Sequence, residues 1–265
     1  MKFSVIIPNY NSSKWINRLL DSIDNQTYKD YEVIIIDDMS TDGSFEMIEE
    51  RWLSNVSFME KYSLFKNQVK RYNGGSRNAG VEMAVGDYII FIDCDDYFYS
   101  DKAFEKIAKL TETNPDLIRL PYHYLVQKGE GNVTLSEKTP EELTKSVFVA
   151  PWTKCIKREL FVPFPENTLI EDVSQHIAQV DKIETIEVCK TPIVVWNCRN
   201  EESISNPKNE KKSSKRQNSY MRILADLLDL EVTKPYCIEH KNWRIRNYIE
   251  VTKEKLGEIE RRYSK

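Results

Sequence analysis

Short apolar runs alternate with amphipathic segments along roughly the first 120 residues of the chain. The apolar runs are rich in Val, Ile, Tyr and Phe, a composition that favours β-strands. The predicted strands are Phe3–Ile7, Tyr31–Ile36, Tyr62–Phe65, Tyr88–Ile92 and Leu117–Leu120. Between them, apolar residues recur at helical spacing. The predicted helices are Trp15–Ile23, Phe45–Trp52, Ser76–Ala84 and Ala103–Leu110. This β-α-β-α order predicts an α/β fold, with a mostly parallel sheet flanked by helices.

The second half of the chain has a different pattern. A hairpin is predicted over Val126–Leu135, and a helix over Glu171–Val180. Residues 206–218 are polar and lysine-rich, which indicates a linker. An apolar helix follows at Tyr220–Leu230, and a final helix carries a stripe of Ile and Leu between residues 245 and 259. We therefore expect a catalytic body over 1–205, followed by a basic linker and C-terminal helices over 206–265.

The composition excludes several classes of protein. Among the 265 residues, 40% are hydrophobic and 30% are charged, as in soluble globular proteins. No run approaches the roughly 18 apolar residues of a membrane span, and the N-terminus lacks a signal peptide's cleavage region. The five cysteines are scattered, odd in number and form no CxxC pair, which argues against a disulfide scaffold and a structural zinc site. We expect a cytoplasmic protein.

Two acidic clusters stand directly after predicted strands. Asp37 and Asp38 follow the second strand, and Asp93, Asp95 and Asp96 follow the fourth. Ligands of open parallel sheets bind outside the carboxyl ends of the strands. Crowded carboxylates there suit Mg²⁺ or Mn²⁺, which in turn bind diphosphates. The alternative for either cluster alone is a helix cap or a turn.

Four segments in order carry a resemblance to a known family. They are Ser4–Asn11, Glu32–Ser44, Asn73–Gly80 and Gly86–Asp96. Together they resemble the family 2 glycosyltransferases of the GT-A fold, and Pro151–Lys154 with Glu171–Asp172 extend the likeness to about residue 200. The resemblance implies inverting transfer of a sugar from a nucleotide diphosphate donor, usually a UDP-sugar. Residues 1–100 would bind the donor, and residues 101–205 would form the acceptor side.

The resemblance also implies roles for individual donor-site residues. Pro8, Tyr10 and Asp38 would hold the base, with Tyr10 giving an aromatic face and Asp38 accepting from the pyrimidine N–H. Arg77 would approach the base or the phosphates. Asp93 would hold the ribose or the donor sugar.

The acidic segment would complete the donor site. Cys94 is the middle residue of its DxD motif, where a small side chain suits the family pattern. Asp95 would bind the metal cofactor, Mn²⁺ or Mg²⁺, and Asp96 could share either task. Met39 stands where the family often has glycine, so it narrows the base pocket or sits on the turn.

The acceptor side is implied to hold the general base. Asp172 matches this residue, with Glu171 beside it as the competing candidate. We expect the start of the helix to keep Asp172 ionised through a lowered pKa. Trp152 could stack on a sugar or belong to the core. Arg199 lies in a segment that resembles a late loop of the family, which can close over the diphosphate.

The partners implied are the UDP-sugar donor and a glycan or lipid-linked acceptor. The linker's basic residues allow peripheral association with the inner face of a membrane, although such runs are usually solvated, and the C-terminal helices allow a homo-oligomer. Three alternatives remain: a nucleotidyltransferase, a glycosyltransferase with a nucleic-acid acceptor, and a non-catalytic nucleotide- or glycan-binding homologue. The basic residues of the linker are Lys208, Lys211, Lys212, Lys215 and Arg216.

Overall fold

The computed structural model describes residues 3–54, 56–146, 149–166, 168, 171–200 and 222–263. The strands are β1 (Phe3–Asn9), β2 (Tyr31–Asp37), β3 (Tyr62–Lys66), β4 (Tyr88–Phe91), β5 (Tyr97–Phe98), β6 (Leu117–Arg119), β7 (Tyr122–Val126), β8 (Gly129–Val133), β9 (Lys154–Lys157), β10 (Ile186–Val188) and β11 (Val194–Asn197). The helices are α1 (Ile16–Asp24), α2 (Ser44–Ser54), α3 (Val56–Lys61), α4 (Tyr72–Met83), α5 (Ala103–Thr111), α6 (Pro140–Thr144), α7 (Asp172–Asp181), α8 (222–229) and α9 (Pro235–Tyr263).

A seven-stranded sheet in the order β10-β6-β9-β4-β1-β2-β3 forms the centre of the fold. β1 pairs in parallel with β2 and with β4, and β3 continues the parallel set beside β2. Every residue of β1 and β4 is buried, because helices cover both faces. The predicted α/β fold with a mostly parallel sheet is confirmed.

One strand of this sheet was not predicted. A 3₁₀-helix over Pro151–Thr153 leads directly into β9. β9 lies between β4 and β6 and is antiparallel to both. It therefore joins the parallel strands β1 to β4 to β6 and β10 in one sheet.

A second sheet of four strands has the order β5-β11-β7-β8. The chain forms the predicted hairpin, but its turn lies earlier than expected from the predicted range Val126–Leu135. β7 ends at Val126 and β8 begins at Gly129, so the glycines lie in the strand and not in the turn. Gly131 is packed against Tyr124, since a Cβ there would lie 2.8 Å from the Tyr124 hydroxyl oxygen.

The C-terminal helices pack on helix α7. Ile223, Leu227 and Cys237 share one apolar cluster with Ile177 and Val180 of α7. The linker over 206–218, with its basic residues, lies outside the described residues, as does the expected boundary at 205. None of the helices in the described ranges combines the length and apolarity needed to cross a membrane.

Helix α4 lies unusually close to strand β1. It begins at Tyr72, four residues earlier than predicted. A Cβ added at Gly80 would lie 2.4 Å from Cγ2 of Ile6, a fully buried side chain. Glycine is therefore required at this crossing for α4 to approach the sheet.

Asp96 connects the two sheets. It lies between β4 and β5, and its Oδ1 accepts a 2.8 Å hydrogen bond from the N–H of Asn197 at the end of β11. Burial raises the pKa of Asp96 well above its ordinary value, and the nearby charges of Asp95 and Asp93 raise it further. The folded chain therefore retains a proton here at pH values where the unfolded chain has lost it.

We expect Gly80→Ala to lower the free energy of unfolding by about 1–3 kcal/mol, because the added methyl overpacks the contact with Ile6. This loss should outweigh the helix propensity gained from alanine. Denaturant unfolding measures the change. The matched control is Gly129→Ala, where the nearest atom would lie 3.9 Å from the new Cβ; its change should stay within about 0.5 kcal/mol. A neutral Gly80→Ala would contradict the close packing.

We expect Asp96→Asn to stabilise the fold, because asparagine retains the acceptor for Asn197 and removes the buried charge. The raised pKa means that the contribution of Asp96 to stability falls as pH rises above about 4, the ordinary aspartate pKa. The gain should therefore grow with pH and reach at least about 2 °C in Tm at pH 8. Thermal melts at pH 5 and pH 8 without divalent ions measure it. Exposed Asp101→Asn is the control, and an equal gain there, or none at Asp96, would contradict this account.

Candidate active site at the carboxyl ends of the strands

The loops after β1, β2 and β4 meet at one edge of the large sheet. In the parallel register, Asn9 lies beside Asp37, and Ile6 lies beside Phe91. This edge is where open parallel sheets bind ligands. The two acidic clusters found in the sequence are therefore brought to the same edge.

Asp37 holds the loops after β1 and β2 together. It is fully buried. Its Oδ1 accepts from Asn9 Nδ2 at 2.7 Å, and its Oδ2 accepts from the N–H of Ser40 at 3.0 Å. Met39, between them in the turn, is partly exposed and has a φ of 64°, the left-handed region that favours glycine. The backbone conformation thus explains why glycine suits this position.

Asp38 is buried and its carboxylate is fully engaged. Oδ1 accepts from Asn67 Nδ2 at 3.0 Å and from the N–H of Arg71 at 2.8 Å. Oδ2 accepts from the N–H of Tyr72 at 2.9 Å and lies 3.0 Å from Lys70 Nζ. Asp38 therefore fixes the conformation of the segment 67–72 through these hydrogen bonds, besides its predicted contact with the nucleobase.

The predicted base site is open on one side. Tyr10 exposes 49% of its surface, and the Lys70 ammonium lies 2.8 Å from the centroid of its ring. Pro8 is buried at the end of β1, and its carbonyl accepts from the Cys94 thiol at 3.2 Å. Burial raises the pKa of Cys94 well above its ordinary value. Cys94 is thus a neutral thiol. It ties the loop between β4 and β5, residues 92–96, to β1; we call this segment the acidic loop.

The acidic loop is held from two sides. Asp95 Oδ2 accepts from Asn200 Nδ2 at 2.7 Å, and the Asp95 carbonyl accepts from Arg18 Nη2 at 2.6 Å. Burial raises the pKa of Asp95, and the charge of Asp93 adds to the shift. The Arg18 guanidinium also lies 4.3 Å from the ring centroid of Tyr97. The loop therefore concentrates negative charge in a fixed position.

Arg77 joins the acidic loop to the start of α7. Its Nη2 donates to Asp93 Oδ1 at 2.6 Å, and its Nη1 donates to Glu171 Oε1 at 2.5 Å. The guanidinium is almost completely buried, and its Nε has no hydrogen-bond partner. Both amino groups of Arg77 are thus engaged by carboxylates in this structure.

The carboxylates at the start of α7 differ in environment. Glu171 is buried, held by Arg77, and close to Gly74, where a Cβ would lie 3.1 Å from Glu171 Cβ. Asp172 is partly exposed. Burial raises its pKa, although Lys154 and Arg77 oppose the shift. The expected lowering of the Asp172 pKa by the helix N-terminus is therefore wrong, because desolvation outweighs it.

Two further candidates lie apart from this cluster. Trp152 is 6% exposed and packs edge-on against Tyr122, with centroids 4.9 Å apart. This burial favours its interpretation as a core residue. Arg199 is exposed beyond β11, and its Nε donates to the Val126 carbonyl at 3.3 Å.

The sequence interpretation missed residues that hold the site. Asn9, Arg18, Lys70 and Asn200 each contact one of the acidic loops. Asn9 is the only one of the four with a clear signal, because it is a polar residue at the end of a buried, largely apolar strand. The other three reach the site from segments distant in sequence, so local patterns do not reveal them.

The acidic loop could bind a metal ion whose remaining ligands come from a bound substrate and water. Within the described part of the chain, no group of three or more His, Cys, Asp or Glu side chains is placed to hold a metal by itself. Asp93 and Asp95 repel each other, and a divalent cation would relieve that repulsion. Mg²⁺ commonly binds one or two carboxylates and completes its shell with water and substrate phosphates. The residues present fit such an ion.

Comparisons with known proteins agree with this architecture. The model of the family described as "Glycosyl transferase family 2" matches residues 4–178, about two thirds of the chain. The poly(ribitol-phosphate) beta-N-acetylglucosaminyltransferase TarS of Staphylococcus aureus is 31% identical over 146 residues, 53% of this chain and 24% of TarS. The amylovoran biosynthesis glycosyltransferase AmsB of Erwinia amylovora is 37% identical over 113 residues, 41% of this chain and 35% of AmsB. The chain thus spans about a quarter to a third of these relatives.

Solved structures share the fold. TarS residues 1–349 in complex with UDP-GlcNAc superpose with a TM-score of 0.72 at 22% identity, covering 94% of this chain and 72% of that one. The mannosyltransferase PcManGT of Pyrobaculum calidifontis, in complex with GDP-Man and Mn²⁺, gives 0.62 at 17% identity, covering 94% and 73%. The predicted GT-A fold is confirmed. Because the family model covers most of the chain and the fold agrees, the chain belongs to glycosyl transferase family 2.

Proposed function

We propose that the chain transfers a sugar from a UDP-sugar to a hydroxyl acceptor, with inversion at the anomeric carbon and with a divalent metal ion. The observation that carries the proposal is the position of Arg77 between Asp93 and Glu171. Arg77 connects the acidic loop, which would hold the donor, to the start of α7, which would supply the general base. Holding the donor and the general base in a fixed relation suits a single-step reaction, in which the acceptor hydroxyl displaces the nucleotide diphosphate from the anomeric carbon.

The donor side would use the residues at the ends of β1, β2 and β4. Tyr10 and Pro8 would contact the uracil, Asp38 would accept from its N3–H, and Asp93 would hold the ribose or the donor sugar. TarS structures with UDP-GlcNAc and with UDP support a uracil base. PcManGT is solved with GDP-Man instead, and the donor screen below distinguishes the two bases.

The metal, Mn²⁺ or Mg²⁺, would be held by Asp95, with Asp93 and Asp96 nearby. When bound, it supplies positive charge that offsets the charge developing on the leaving diphosphate. PcManGT contains Mn²⁺ in its solved complex. Asn200 and Arg18 hold the side chain and the carbonyl of Asp95, which supports this role.

Asp172 would act as the general base. Glu171 is bound to Arg77 at 2.5 Å, which leaves Asp172 as the more available carboxylate. The pKa of Asp172 is raised towards neutral pH, which makes its carboxylate a stronger base and favours proton transfer. Asp172 takes the proton of the acceptor hydroxyl as the oxygen bonds to the anomeric carbon, while the bond from that carbon to the diphosphate oxygen breaks.

The acceptor would be a surface glycan or a lipid-linked saccharide. TarS is named for a poly(ribitol-phosphate) acceptor and AmsB for amylovoran biosynthesis, which supports this class. A cytoplasmic location, peripheral association with the inner face of the membrane, and a homo-oligomer formed by the C-terminal helices stay predictions.

A donor screen tests the proposal as a whole. The full chain is incubated with Mn²⁺ or Mg²⁺ and a panel of nucleotide sugars, and nucleotide release and thermal shift are measured. Release of UDP from one UDP-sugar supports the proposal. Binding without any turnover, with or without saccharide acceptors, would favour the non-catalytic homologue instead.

We expect Asp95→Asn to weaken Mn²⁺-dependent UDP binding at least tenfold, because a hard cation loses its charged oxygen ligand. EDTA should have the same effect on the wild type. Calorimetric titration of UDP with and without Mn²⁺ measures both. Asp101→Asn, which removes an exposed carboxylate, serves as the control. Unchanged UDP affinity after both EDTA and Asp95→Asn would refute the role of the metal.

We expect Asp172→Asn to reduce transfer at least about 10²-fold with little change in donor affinity, because the base acts on the acceptor. Glu171→Gln is the matched comparison. It should destabilise the chain, since it leaves Arg77 partly uncompensated, while some transfer persists in the folded fraction. If Glu171→Gln abolishes transfer and Asp172→Asn does not, the base is Glu171.

A further inference from the structure

Lys70 occupies both groups that the proposed function assigns to the nucleobase. Its ammonium nitrogen lies 2.8 Å from the centroid of the Tyr10 ring and 3.0 Å from Asp38 Oδ2. It also donates to the Asp38 carbonyl at 2.8 Å. One side chain therefore covers the aromatic face and the carboxylate together.

The nucleobase and the Lys70 ammonium cannot share these groups. A carboxylate accepts about four hydrogen bonds, and Asp38 already accepts from Asn67, Arg71 and Tyr72. The remaining acceptor position on Oδ2 is taken by Lys70. A base N–H can reach Oδ2 only when the ammonium leaves, and a ring can stack on that face of Tyr10 only at the same moment.

Lys70 can leave without unfolding its segment. Its side chain is about one-third exposed, on a flexible four-carbon stem. The three other contacts of Asp38 come from Asn67 and from the backbone of Arg71 and Tyr72, and they do not depend on Lys70. The segment 67–72 can therefore keep its conformation while the ammonium moves into solvent.

We propose that Lys70 is a competing occupant of the nucleobase site that sets its affinity for the nucleotide. In the free protein, the ammonium covers Tyr10 and neutralises Asp38. The nucleotide binds as the base takes over both contacts and the ammonium moves away. This inference rests on the proposed function, since it takes Tyr10 and Asp38 as the base site.

Calorimetric titration of UDP into the full chain with Mn²⁺ tests the proposal. We expect Lys70→Ala to bind UDP about three- to thirtyfold more tightly, the range set by one cation–π contact and one partly exposed ion pair. Lys66→Ala is the matched control. Lys66 ends β3, directly before the segment 67–72, and its ammonium covers the Phe45 ring, 4.4 Å from the centroid. Its UDP affinity should stay within about twofold of the wild type.

Two further variants separate the possible outcomes. Lys70→Arg keeps a cation on Tyr10 and should bind UDP no more tightly than the wild type. Lys70→Ser repeats the removal if Lys70→Ala melts at a lower temperature. Unchanged or weaker UDP binding by folded Lys70→Ala and Lys70→Ser overturns the proposal, and weaker binding would make Lys70 a ligand of the nucleotide. A wild type that binds no UDP refutes the proposed function itself, whereas UDP binding without tightening refutes only the role of Lys70.

Discussion

The buried guanidinium of Arg77 is the charge on which the arrangement of the site depends. It lies between Asp93 and Glu171, and these two carboxylates raise its pKa against the opposing effect of burial. Removing one partner of a buried ion pair leaves an uncompensated charge and costs about 3–5 kcal/mol. The pairing fixes α4, the acidic loop and the start of α7 relative to one another. Close helix packing at Gly74 and Gly80 brings Arg77 to that position.

Two adjacent aspartates hold the loops at the ends of β1 and β2. Asp37 and Asp38 are adjacent, yet Asp37 fastens the loops after β1 and β2, and Asp38 fastens the segment 67–72. Polar contacts between loops, and not apolar packing, thus give the edge of the sheet its shape. Buried polar networks of this kind rigidify a structure when all their members are satisfied, so these contacts hold the edge of the sheet in a fixed shape.

The parallel part of the fold could be predicted from the sequence, because β1, β2 and β4 are continuous apolar runs buried on both faces. Their sequence positions also placed Asp38 and Asp95 at one edge. β9 could not be predicted, because its four residues include two lysines and its partners lie far away in the chain. The engagement of Asp38, the burial of Trp152 and the raised pKa of Asp172 likewise depend on tertiary contacts, which local patterns do not contain.

The insertion of β9 also has a consequence for folding during synthesis. β4 and β6 are adjacent in the chain order of the large sheet, but β9 separates them and pairs with both. A nascent chain that ends before Lys154 therefore has β1, β2, β3 and β4 available, with one side of β4 unpaired. Open strand edges are templates for aggregation, and pairing over such sequence separations slows folding. The open side of β4 can therefore be covered by β9 only after Lys154–Lys157 has left the ribosome.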